Sequence, residues 1–261
     1  MGLPFAAFLG LIAGFLVNYL SDVLPTRREL SRPGCSHCDT DYSWKNYLLL
    51  NSCQKCGAAR SWRTYISLAA GIIISMALWL NPPTRMGYWL GLIVITYFGL
   101  VVVIDLEHRL ILHMVSLAGA LLGVITGTIR YNLVSSLVGG LVGMGVMLIF
   151  YWLGTLFARY RARKLGHDDG EEALGFGDVT ISAVLGLMLG WPFIFYGLMI
   201  GVLMGGLISL VFVLILVVTR RYETMTVFTA YGPYLVFGAI ILMYFPKFLS
   251  ILLENSTLVL K

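Results

Sequence analysis

Charge is scarce in this chain. Asp, Glu, Lys and Arg make up only 12% of the 261 residues, whereas apolar side chains make up 59%. That is about half the charge of an average soluble domain, which excludes an ordinary soluble enzyme. The alternating ten-residue segments of a membrane β-barrel are also missing; the apolar stretches are continuous and several approach the roughly 20 residues that a spanning helix needs. No internal repeat is evident, so the paired halves of many transporters are absent. There is no low-complexity segment and no glycine-rich nucleotide fingerprint, since Gly175-x-Gly177 alone is too little. The first apolar run lacks the basic start of a cleavable signal and is expected to stay as a span. Met1-Gly2 does not complete a myristoylation motif, because Ala6 stands where Ser or Thr is needed.

What remains is an all-α polytopic membrane protein. Runs and breakers give about eight spans: roughly Pro4–Leu20, Tyr65–Leu80, Gly87–Ile104, Ile111–Ile129, Leu133–Phe157, Val179 to Gly190, Phe193–Thr219, and one from Pro233 onward. Arg and Lys gather after spans one, three, five and seven, from Arg27 and Arg28 through Arg109 and the "RYRARK" stretch to Arg220 and Arg221. The positive-inside rule makes those loops cytoplasmic and puts the N-terminus outside. Trp79, Trp89 and Trp191 then flank outer loops as interfacial anchors. Basic loops facing anionic lipid account for the net charge of +5, and no nucleic acid partner is expected.

Cysteine is nearly absent as well, with four residues in the whole chain, and all four fall in the first cytoplasmic loop. Cys35 and Cys38 form one Cys-x-x-Cys pair, Cys53 and Cys56 a second, and fourteen residues lie between the pairs. Two such knuckles complete a tetrahedron of thiolates, the pattern of a structural zinc site with no open position. The competing reading is a pair of disulfides, which a cytoplasmic location disfavours. Gly34 and Gly57 flank the knuckles, and His37 reads as a solvated residue. The chain thus divides into a first span (1–24), a zinc-binding cytoplasmic module (25–64) and a membrane domain (65–261).

Two acids touch span ends on the deduced cytoplasmic side: Asp105 in "VVVIDLEHRLIL" and Asp178 in "ALGFGDVTIS". The bland reading of Asp178 is an N-cap. Asp105 is harder to explain that way if its helix stops there, because a carboxylate at a helix C-terminus opposes the macrodipole; continuation of the helix through Arg109 softens the objection. Ionisable groups at membrane depth are functional candidates. Two converging carboxylates that share one proton can hydrolyse peptide bonds without a metal or a nucleophilic serine. An ion relay in a transporter and a zinc-stabilised scaffold with structural acids are the readings from other classes.

At these residues the chain resembles the type IV prepilin peptidases, membrane aspartic proteases of the Gly-x-Gly-Asp type. "DLEHRLI" (Asp105–Ile111) is similar to the family's first aspartate motif, and "EALGFGDV" (Glu172–Val179) to its second. "GFLVNYLSDVLP" (Gly14–Pro25), the cysteine pairs with "GAARSWR" (Gly57–Arg63), and "YGPYLVFG" (Tyr231–Gly238) follow the same order. The resemblance implies leader-peptide cleavage of type IV prepilin or pseudopilin precursors at the cytoplasmic face of a bacterial inner membrane. Asp105 and Asp178 would be catalytic, with Glu172, Gly175 and Gly177 supporting the second motif, although Glu172 alone reads more simply as a solvated loop acid. Members with the cysteine module also N-methylate the new terminus with S-adenosylmethionine, for which Gly14 and Asn18 are the candidate cofactor residues. A peptidase without methyltransferase activity is the alternative on the same scaffold. Leu112, Thr180 and Phe15 depart from the family's usual Pro, Lys and Ser.

Overall fold

A computed structural model describes residues 2–35, 37–165, 175–219 and 231–245. Among these residues the fold is helical: α1 (Leu3–Arg27), α2 (Trp44–Leu48), α3 (Trp62–Leu80), α4 (Gly87–His108), α5 (His113–Arg130), α6 (Leu133–Leu165), α7 (Phe176–Leu189), α8 (Phe193–Thr219) and α9 (Gly232–Tyr244). Helices α1, α3, α4, α5, α6 and α8 are long and apolar enough to cross a membrane, and α7 and α9 are shorter apolar helices. These eight match the eight expected runs in order. The protein is a multi-pass membrane protein. Glu172, the acidic half of the loop before α7, and the tail beyond Phe245 lie outside the described residues.

The chain packs as two units, Met1–Leu112 and His113–Lys261. In the first, α1 lies against α3 and α4. Small residues permit this. A Cβ on Gly10 would stand 2.3 Å from the Gly71 carbonyl oxygen, and one on Gly14 would stand 2.9 Å from the Leu68 Cα. Polar bonds close the seam: Asn18 Nδ2 donates to the Gly14 and Thr64 carbonyls at 3.1 and 3.3 Å, and Ser75 Oγ donates to the Ala6 carbonyl at 2.6 Å. Aromatic rings gather at one end, where Trp79 meets Tyr88 at 5.0 Å and Trp89 meets Phe5 at 6.3 Å. That end holds the start of α1, the end of α3 and the start of α4, as interfacial anchoring requires.

In the second unit α7 is the centre, packed against α5, α6, α8 and α9. Beyond its first two turns its sequence is apolar, and Val179, Ile181, Val184, Leu185, Met188 and Leu189 are all buried, the pattern of a helix enclosed by others. The glycine rows of α6 and α8 face inward within this unit. A Cβ on Gly139 would stand 2.4 Å from the Gly186 carbonyl oxygen, and one on Gly201 would stand 2.9 Å from the Leu235 Cα. These are close-packing positions inside the chain, as small residues in membrane bundles commonly are. A direct contrast follows on α6. Gly139→Ala must push helix backbones apart and is expected to cost about 1–3 kcal/mol. Gly145→Ala, where nothing lies within 4 Å, is expected to gain up to about 1 kcal/mol from helix propensity. Thermal unfolding of both variants in detergent checks the pair: equal midpoints would contradict the packing described.

Candidate active site and metal centre

The cysteine module forms where two alike knuckles face each other. In the first, the Cys35 N–H donates to the Thr40 carbonyl at 2.9 Å and the Asp39 N–H returns to the Cys35 carbonyl at 2.9 Å. In the second, the Cys53 N–H donates to Ala58 at 3.0 Å and the Gly57 N–H to Cys53 at 2.8 Å. The tight return needs a left-handed residue. Gly57 supplies it with φ 70°, and Asp39, not Gly34, supplies it in the first knuckle with φ 53°. The four Sγ atoms lie within 4.8 Å of one another, with Cys35–Cys56 and Cys38–Cys53 both at 3.6 Å. A tetrahedron of sulfurs about 2.3 Å from zinc has edges of about 3.8 Å, so the cluster fits a zinc ion, and no disulfide joins the cysteines. His37 is exposed and outside the cluster.

Two of the four sulfurs, Cys35 and Cys38, are also electrostatically prepared. Burial pushes the Cys35 thiol up, but the backbone N–H groups of His37 and Cys38 and the neighbouring sulfurs outweigh it and bring the thiol down to about 6. Cys38 is lowered by the side chain and backbone of Thr40. The Ala58 N–H pulls Cys56 down, yet burial and the three other sulfurs lift it to about 12. Metal binding therefore displaces at least the Cys56 proton near neutral pH. Acidification through about pH 6 protonates Cys35 too, and a group with a lowered folded-state value loses its contribution as pH falls through that value. Zinc affinity, measured by competition with a chromogenic chelator, is expected to drop on that acid limb; an affinity flat from about pH 8 to 5 would contradict a thiolate site.

The module rests on α1 through aromatic and charged side chains. Tyr42 and Tyr47 are buried with Cys35 and Cys53. The Arg60 guanidinium lies 4.0 Å from the Tyr42 ring centroid and 4.2 Å from that of Tyr47, a cation–π clamp. The Tyr47 hydroxyl donates to Asp22 Oδ2 at 2.7 Å. Asp22 Oδ1 accepts from Arg63, whose other terminal nitrogen reaches Glu107 Oε2. These groups border a cavity of about 250 Å³ lined by Asp22, Cys35, Tyr42, Arg60, Arg63 and Glu107 among others. Sequence reasoning left Asp22 unmarked. A signal existed: Ala6, Gly10, Gly14, Asn18 and Asp22 recur every fourth residue, a single face of α1.

The two aspartates stand in different units. Asp105 is 5% exposed and lies one turn before the end of α4. The helix continues past it to His108, and the Arg109 N–H, on a left-handed residue with φ 51°, caps the Asp105 carbonyl at 2.9 Å. The carboxylate is therefore inside the helix, away from the exposed carbonyl ends that would repel it most. Asp178 is 8% exposed. Gly175 is the N-cap of α7, no side chain caps the helix, and the Asp178 N–H donates to the Gly175 carbonyl at 3.0 Å. The N-cap reading of Asp178 thus fails; it is the third helical residue, within the favourable field of the N-terminus. Gly175 has an ordinary φ of −73°, and a Cβ there would meet only the Gly177 nitrogen at 4.0 Å. So no positive φ or close contact demands glycine at that position. Thr180, which replaces the family's Lys, turns its hydroxyl back to the Gly177 carbonyl at 2.7 Å. Of the two residues considered for cofactor binding, Gly14 is taken up by contact with α3 and Asn18 bridges α1 and α3.

Residues 92–210, which include both aspartates, match the type IV leader peptidase family, and this bears out the resemblance carried by the two motifs. A prepilin leader peptidase/N-methyltransferase of Pectobacterium carotovorum subsp. carotovorum is 30% identical over 176 residues, which cover 66% of this chain and 54% of that protein. The chain therefore matches about half the length of this curated relative. No solved structure matches it.

Proposed function

We propose that the chain is a membrane aspartic endopeptidase that removes the leader of type IV prepilin-like precursors at the cytoplasmic face of the membrane. Asp105 and Asp178 act as one catalytic pair within the membrane domain, and residues 25–64 form the zinc-binding module. The observation that carries this reading is the burial of two carboxylates, at 5% and 8% exposure, in apolar helices of the family-matched segment. A lone buried carboxylate is costly, and two that share a proton are chemically useful. The ionised partner takes a proton from water, which attacks the scissile carbonyl. The protonated partner gives its proton to the developing oxyanion, and the collapsing intermediate returns a proton to the leaving amine. Helix α7 has 14 residues, about 21 Å of rise against a hydrocarbon thickness of about 30 Å. Asp178 then sits below the headgroups, where a precursor's apolar segment can lie beside it while its basic leader stays in water.

N-methylation of the new terminus is the second activity of this reading. It draws on the name of the relative and on the cavity of about 250 Å³ in the first unit. That volume lies just below the roughly 300–1,000 Å³ usual for small-molecule sites. Its lining carries Arg60, whose Nε and one terminal nitrogen have no hydrogen-bond partner, donors able to hold the carboxylate at the amino-acid end of S-adenosylmethionine. Bound there, the cofactor would supply the methyl group. Incubating the purified protein with a prepilin-like precursor, with and without S-adenosylmethionine, tests both activities by intact mass. The expected result is loss of the leader in both samples and gain of one methyl group only with the cofactor. An unchanged precursor mass would refute the peptidase, and a leaderless product that gains no methyl group would leave a peptidase alone.

A further inference from the structure

Arg63 is one of the few charged side chains in the first unit that joins separate helices. It begins α3, and its two terminal nitrogens fork to Asp22 near the end of α1 and to Glu107 in the last turn of α4. An exposed ion pair is worth little, but the Arg63 and Asp22 side chains are only 18% and 20% exposed. The fork is backed by further bonds: the second Asp22 oxygen accepts from Tyr47, and Tyr47 lies in the thiol-lined core under the Arg60 clamp. The α1–α3 seam does not need Arg63, since the glycine contacts and Asn18 already close it. The last turn of α4 is different. Beyond Asp105 its side chains Leu106, Glu107 and His108 are exposed, with Leu106 at 61%, so apolar burial does little to hold it.

We propose that Arg63 is a positioning residue of the peptidase, which ties the α4 turn carrying Asp105 to α1 and the cysteine module through Glu107 and Asp22. This inference rests on the peptidase reading above. Glu107 is two residues from Asp105 on the same turn, so releasing it frees the backbone that aims the carboxylate. Small misplacements of a catalytic group are costly: about 1 Å can lower a rate by about 100-fold. The guanidinium fork is specific to Arg, and a single ammonium cannot serve both carboxylates in the same geometry.

The test is steady-state cleavage of a prepilin-like precursor in detergent micelles by the full chain. Arg63→Met is expected to lower kcat about 10- to 100-fold with KM within about twofold of wild type, and Arg63→Lys to recover only part of the loss. Glu107→Gln, which keeps the side chain's shape, is expected to lower kcat in the same way, and the double variant to lose little more than Arg63→Met alone. Zinc content checks that the module is intact; if Arg63→Met loses the metal, Glu107→Gln decides the matter. Wild-type kcat in Arg63→Met or in Glu107→Gln, a loss confined to KM, or losses that multiply in the double variant would overturn the inference. Failure of the underlying reading looks different: wild type would not cut, or Asp105→Asn would still cut. An inactive Asp105→Asn beside a fully active Arg63→Met removes this inference alone.

Discussion

Replacing Asp105 or Asp178 with Asn is expected to lower the rate of precursor cleavage by about 10²–10⁴-fold, the range for removing a general acid or base. Asn is nearly isosteric, so the helices stay folded, and each variant should keep the thermal midpoint of wild type or exceed it. Burial makes this second part more than a control. Taking a carboxylate out of water carries a desolvation cost, and Asp105 and Asp178 are 5% and 8% exposed. Functional acids held at a cost to stability give variants that are inactive yet no less stable. An acid kept for architecture gives the reverse, an active or unfolded variant. The paired reading also fixes a pH shape. With one proton shared, activity falls when both groups are protonated and again when both are ionised, so kcat/KM is bell-shaped and its two limbs belong to the pair. Intact-mass kinetics on the purified variants, with thermal unfolding alongside, measures all of this.

The second large effect concerns the metal. Structural zinc contributes about 10–16 kcal/mol of apparent binding free energy to small metal-organised folds at neutral pH. Among the described residues the module's own regular structure is one five-residue helix and an isolated bridge between Gly34 and Asp41, over a core of two tyrosines and two cysteines. Cys53→Ser is therefore expected to abolish zinc binding and to open the segment between α1 and α3 to protease, while the membrane helices keep most of their far-ultraviolet helicity. Elemental analysis should give one zinc per chain in wild type and none in the variant. A protease-resistant, metal-free Cys53→Ser protein would show that the thiols merely pack.

The membrane architecture was legible because its signals are local. Apolar runs and breakers such as "NPPTR" and Gly190-Trp191-Pro192 marked eight helices in order, and the Cys-x-x-Cys pairs announced their own geometry. Details that depend on where a helix begins were less legible. Asp178 looked like a cap and is the third helical residue; for Asp105 the sequence left open whether the helix stops there or continues, and it continues one turn further. The Arg63 fork was invisible to local reading because its partners lie 41 and 44 residues away, in helices that meet only in the folded unit. The row Gly10, Gly14, Asn18, Asp22 did carry a hint, since small residues at every fourth position mark a face that another helix approaches closely. A polar residue continuing that row is a residue about to meet a partner.

The claim on which the functional account turns is that Asp105 and Asp178 work as one unit. Its most direct measurement is the cleavage rate of the double variant Asp105→Asn/Asp178→Asn beside the two single variants. Groups that act together lose nearly everything at the first removal, so the double variant should be no slower than the worse single one. Single variants whose losses multiply in the double, or either single variant cutting at the wild-type rate, would contradict it.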